Sequence, residues 1–181
     1  MEASLGNGRS AAAMTFMVAC AADLVSGGLQ RLPVAPFLEA GTLDYSRDSL
    51  KKVDDYVLNF RERLPKVGNG KLDIESGAFP LRNEKLLAAF VYMLGGYTGE
   101  VIRRVVKPEL RWIPVEDLRR IMPEAEDVVG EDRPLALSFS LVDADRRSIL
   151  PLKMVRELLV EPMAERLHAL SGVLEKEVAA C

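Results

Sequence analysis

Apolar residues recur at steps of three and four through residues 84–106, where Leu86, Leu87, Phe90, Met93, Leu94, Val101, Ile102 and Val105 mark one face of a long helix ahead of Pro108. This is the longest apolar run in the chain, and it predicts a central helix on which the other elements pack. Gly95, Gly96 and Gly99 interrupt it. Each glycine costs about 1 kcal/mol relative to alanine inside a helix, so something must offset the loss. Close approach of a neighbouring backbone to the face shared by Gly95 and Gly99 is the expected compensation.

A second helix is predicted from Leu50, Val53, Val57, Phe60 and Leu64, with Ser46 as its N-cap, Asp48 in the first turn and Pro65 at its end. Asp54 edges the buried stripe of this helix and needs a partner there, for which Arg103 or Arg104 is expected. Residues 11–25 are apolar except for Thr15 and Asp23 and precede Ser26-Gly27-Gly28, so they predict an N-terminal helix behind a disordered lead-in over 1–10.

Leu110-Arg111-Trp112-Ile113 is short and β-prone, and Pro114 opens a small helix that runs to Pro123. Leu135, Leu137, Phe139 and Leu141 alternate with Ala136, Ser138 and Ser140, the pattern of a half-buried strand. Asp143-Ala144-Asp145-Arg146 turns the chain, and Ser148-Ile149-Leu150 returns antiparallel. Residues 66–80 and 124–133 read as surface loops, the first with a short strand near 72–74. Pro151 opens a C-terminal helix broken at Pro162, and Met163, Leu167, Leu170, Leu174 and Val178 predict another amphipathic helix. The pattern gives an α+β fold over 11–181: an antiparallel sheet of about three to five strands, helices on one face, packed on the central apolar helix and several amphipathic ones.

The 181 residues suit one domain with a sizeable core. Lys+Arg 24 against Asp+Glu 27, well mixed, presents no basic face for nucleic acid or anionic lipid. Two cysteines, Cys20 and Cys181, and one histidine exclude a disulfide framework and a tetrahedral zinc cluster. The apolar run 11–22, at twelve residues, is too short to span a bilayer, so a cytoplasmic protein without a membrane span is expected. Met17-Val18-Ala19-Cys20 offers the alternative of an exported lipoprotein modified at Cys20, against which stand Glu2 in the leader and Met17 where such boxes favour Leu.

Candidate chemistry is sparse. Gly68-Asn69-Gly70-Lys71 lacks the spacing and the Lys-Ser/Thr ending of a phosphate loop. His168 has no nucleophile in a recognisable motif, and Asp54, Glu100 and Asp117 show no acid and base spacing. Asp143 and Asp145 start like a calcium loop without its Gly or closing Glu. No catalytic residue, metal or cofactor is therefore assigned. What remains is a surface of Tyr97, Glu100, Arg103, Arg104 and Trp112, with Asp54 beside it, where the glycine-notched helix ends and the sheet begins. On it Tyr97, Glu100, Arg104 and Trp112 are expected to line a cleft with an aromatic wall and a charged rim.

Two stretches carry a family resemblance: Leu43-Asp44-Tyr45-Ser46-Arg47-Asp48-Ser49-Leu50 with Val53-Asp54, and Met93-Leu94-Gly95-Gly96-Tyr97-Thr98-Gly99-Glu100-Val101-Ile102-Arg103-Arg104 with Trp112. Over roughly residues 43–160 the chain resembles uncharacterised bacterial proteins that pair "Leu-Asp-Tyr/Phe-Ser" with "Gly-Ala-Tyr-x-Gly-Glu-Val-Ile-Arg-Arg". Gly96 replaces the usual Ala of that pattern. The resemblance implies no activity. The expected function is a non-enzymatic binding or protein-interaction module with a protein partner, as a monomer or weak homodimer; the alternative is a small-molecule-binding protein or enzyme using the cleft.

Overall fold

Helices α1 (Asn7–Val25), α2 (Ser49–Glu62) and α3 (Glu84–Val105) precede strand β1 (Arg111–Pro114) and helix α4 (Val115–Ile121); strands β2 (Phe139–Val142) and β3 (Ser148–Ile149) and helix α5 (Pro151–Val160) follow. The computed structural model describes residues 7–32, 38–66, 84–122, 139–161, 164 and 166–172. The expected loops over 67–80 and 124–133, the strand near 72–74, the first half of the 135–141 strand and the helix beyond 172 lie outside these residues. The fold is α+β, and the described strands form one antiparallel sheet in the order β1-β2-β3.

α3 is central as its pattern requires, packed between α1 and α5. Its glycines are the reason it can be. A Cβ on Gly95 would lie 3.0 Å from the Leu152 backbone Cα in α5, and one on Gly99 would overlap the Trp112 ring. Gly96, off the face shared by Gly95 and Gly99, faces α1: its Cβ would lie 2.9 Å from the Met17 carbonyl oxygen. The notch thus admits two backbones and one indole, where the sequence pointed to a single backbone.

In the sheet, Trp112 stands opposite Leu141 and Ile113 opposite Ser140. Trp112 and Leu141 join the main core with α1, α2, α3 and α5, while Ile113, Val115, Leu118, Val142 and Leu150 form a second, smaller core. Helices therefore cover both faces, correcting the one-face expectation, and Ser140 is fully buried rather than solvated. The hairpin after β2 forms as expected. Asp143 accepts from Lys107 at 2.6 Å and from the Arg147 guanidinium at 2.8 Å, and Arg146 turns the chain at φ 63°.

Two boundaries and one partner differ from expectation. α1 starts at Asn7, inside the supposed lead-in, because Ser10 Oγ donates to the Trp112 carbonyl at 3.1 Å and ties the first turns to β1. α2 is α-helical only from Ser49 because its first turn is wound tighter, with i to i+3 bonds such as Leu50 N to Arg47 O; Ser46 Oγ still accepts the Ser49 amide. Asp54 does not meet Arg103 or Arg104. Its oxygens accept the Leu167 and His168 amides at 2.7 and 3.1 Å, capping the helical turn over 167–172.

At 19 residues, α1 also exceeds the twelve-residue run read from the sequence, and Gly8–Val25 is long and apolar enough to cross a membrane by length and composition. Its inner stripe of Ala13, Met17, Ala21 and Leu24 is buried in the core.

Candidate functional site

The structure brings Tyr97, Glu100, Arg103, Arg104 and Trp112 together, but around a buried carboxylate instead of along an open cleft. Tyr97, Glu100 and Trp112 are inaccessible to solvent, and only the arginines reach the surface. Arg103 forks onto Glu100, Nε to Oε1 at 3.0 Å and Nη2 to Oε2 at 2.8 Å. Trp112 Nε1 donates to Oε1 at 3.0 Å, and Arg104 Nε lies 3.5 Å from Oε2. Burial by itself would raise the Glu100 pKa, yet the bonds from Arg103 and Trp112 and the two guanidinium charges hold it below the usual glutamate range. A carboxylate held ionised and occupied on both oxygens makes a poor proton acceptor for a substrate.

One turn earlier, Tyr97 binds the segment before α2. Its hydroxyl accepts the Tyr45 amide at 3.0 Å and lies 2.6 Å from Ser49 Oγ. Ser49 Oγ gives its one proton to the Ser46 carbonyl, so Tyr97 is the donor of that pair. Tyr45, at φ 60°, is held in the left-handed region by this latch; its ring packs on Tyr97 at a centroid distance of 4.9 Å, and the Arg104 guanidinium sits over the Tyr45 ring at 3.8 Å. Burial raises the Tyr97 pKa, and the bond its oxygen accepts from the Tyr45 amide opposes this. Residues 45–49 and 97–104 are thus one contact in space, Tyr45 and Ser49 being the members that sequence reasoning missed.

No family model, curated protein or solved structure matches the chain.

Asp54 stands apart from this cluster in its capping role; burial raises its pKa against the two amides it accepts. His168 Nε2, partly exposed, lies 3.7 Å from Asp48 Oδ1. Among the described residues, no group of three or more His, Cys, Asp or Glu is arranged to hold a metal ion.

An accessible concavity lies elsewhere, between α1 and the first half of α3. It encloses about 530 Å³ and is lined by Phe16, Ala19, Cys20, Asp23, Lys85, Ala88, Ala89, Tyr92 and Met93. Phe16, 44% exposed, meets Tyr92 edge to face at 5.4 Å and forms one lip. Burial, with the charge of Asp23, pushes the Cys20 thiol up to about 11, so this wall is a neutral thiol. Sequence reasoning missed the groove, although a signal was present: no charge falls on α1 between Arg9 and Asp23, whereas the outer face of α2 carries Lys51, Lys52, Asp55 and Glu62.

Proposed function

We propose that the chain is a non-enzymatic protein-interaction module that takes an apolar side chain of a protein partner into the α1/α3 groove. The carrying observation is the exposed face of α1. Ala11, Ala12, Thr15, Phe16, Ala19 and Ala22 face solvent without a charge among them, beside a groove walled by Ala88, Ala89, Tyr92 and Met93. Helices that face water ordinarily carry charged or strongly polar residues there, and an uncharged exposed face beside a concavity marks a binding surface. The closed state of the Glu100 cluster supports the same reading, since its polar atoms are spent on one another.

The test is a photoreactive residue placed at Ala19, in the groove, and separately at Lys52, on the outer face of α2, in the native cells. Protein adducts should form from position 19 and be absent from position 52. Adducts to small molecules only, or no protein adduct at 19, refute the proposal.

A further inference from the structure

We propose that the groove takes the apolar face of an amphipathic helix from a protein partner, with a basic residue of that helix against Asp23 and an acidic one against Lys85. This rests on the groove being the binding surface. A cavity of about 150 Å³ holds one benzene ring, so the groove's volume of about 530 Å³ is room for about three apolar side chains. Its walls are two matching helical stripes, Phe16, Ala19 and Asp23 on α1 and Lys85, Ala88 and Tyr92 on α3, each ending seven residues, or two turns, from where it starts. Three side chains over two turns is the i, i+3 or i+4, i+7 spacing of one helix face. An extended peptide fits less well. Its backbone N–H and C=O groups need a strand edge to bond to, and both walls are sides of helices whose own backbone groups are paired internally; a helix satisfies its own.

Charge distinguishes the two ends. α1 and α3 run antiparallel, since Ser10 meets Trp112 at the level of Gly99 and Phe16 meets Tyr92 two turns lower. Phe16 stays where it is, packed on Tyr92 and Phe139, and closes an aromatic, uncharged end. The same course carries Asp23 and Lys85 to the opposite end, a negative group on the α1 wall facing a positive one on the α3 wall. The complement is a helix whose apolar seam is flanked at that end by a cation on the α1 side and an anion on the α3 side. Asp23 is open to such an exchange, because its pair with Arg31 at 3.2 Å lies at the surface and is worth little.

Helix-constrained probe peptides of about four turns, titrated into the full chain, test this. Each carries a leucine seam, and the readout is the methyl NMR signals of Ala19, Ala88 and Ala89. The first probe has arginine and glutamate on the two flanks of one end, placed as argued; the second has them exchanged; the third is the first with a proline at its centre. The first should shift all three signals to saturation. The proline probe should bind at least about tenfold more weakly, because it cannot keep the helix. The exchanged probe should bind about threefold more weakly at low salt, a difference that closes at high salt. Reversing it in the groove cannot restore the pairing, since that carries its charges to the aromatic end. These changes lie in the probe, so the fold of the chain is not at stake. A proline probe that binds as well as the first overturns the helical occupant, and equal binding of the first and the exchanged probe overturns the charged end. No methyl shift with any probe overturns the inference, while a protein adduct at position 19 would leave the groove reading standing. Absence of any protein adduct there overturns both.

Discussion

Gly99→Ala sets two known effects of opposite sign against each other. Replacing a helix-interior glycine should gain about 1 kcal/mol from the backbone. The added methyl, however, overlaps Trp112 Cζ2 and Cη2 and lies 3.1 Å from Pro151 Cγ. The indole has no room to retreat: it is fully buried, its Nε1 is bonded to Glu100 at 3.0 Å, and its backbone pairs opposite Leu141 while accepting from Ser10. Overpacking costs about 1–3 kcal/mol, and a rigid obstacle places this site at the upper end, so the net loss is about 1–2 kcal/mol. With a urea slope of about 2 kcal/mol per molar, the midpoint should fall by about 0.5–1 M. Gly95→Ala should cost less than Gly99→Ala, since the Leu152 Cδ2 tip at 2.6 Å can turn aside, but it should still lower the midpoint because the Leu152 Cα at 3.0 Å must give. Gly8→Ala is the control: nothing lies within 4 Å of its Cβ, so its midpoint should hold or rise. A raised midpoint for Gly99→Ala would refute the packing account of the notch.

Glu100→Ala should cost on the order of 3 kcal/mol in urea unfolding, because it strands the indole N–H and a half-buried guanidinium; Glu100→Gln keeps an acceptor for Trp112 and should lose clearly less, and equal losses would show that the indole bond contributes little. Asp143 is held down to about 2: burial opposes its ionisation, but Lys107 and Arg147 more than offset it. A depressed folded pKa gives stability that is present above the unfolded 3.8 and lost as pH falls through about 2. Unfolding free energy should therefore drop across that window in the wild type and less in Asp143→Asn. Identical acid limbs for the two would count against the ion pairs. Asp54, with its raised pKa, acts in the opposite sense, losing stability as pH rises above its unfolded value.

Long-period signals survived the passage from sequence to structure best. The α3 stripe, the α2 stripe and the β2–β3 hairpin lie where period and turn chemistry put them, because burial of a whole face decides each of them; the exception is Val105, expected inside but 41% exposed in the last turn of α3. What could not be read was pairing between distant elements. Asp54 was correctly judged to need a partner, but a carboxylate is satisfied equally by a guanidinium or by two amides at a helix start, and only the fold decides that residues 167–172 arrive there. Trp112 and Tyr97 were placed beside Glu100 rightly and in a cleft wrongly, since neighbours along a helix and strand can be inferred from spacing while the lid over them cannot. α4 supplies the same lesson for Ser140: alternation reports one face buried, and a short helix packed on the other face leaves no trace in the strand itself.

The notch and the groove are connected through Gly96. Its missing side chain lets the Met17 carbonyl come close to α3, and Cys20 Cβ stands only 3.3 Å from where a Cβ would be. Met17 and Cys20 lie within a turn of Phe16 and Ala19, so the distance between α1 and α3 that Gly96 permits is also the width of the groove. The polar cluster fixes the other side of the same helix: Glu100 holds the indole against Gly99, Trp112 holds Ser10 through its carbonyl, and Ser10 holds the start of α1. α1 is thus clamped at its first turns by β1 and at its middle by Gly96, with Phe16 between the two clamps and outside both. The buried carboxylate thus acts by position: through the indole and Ser10 it sets the helix whose outer face is left uncharged.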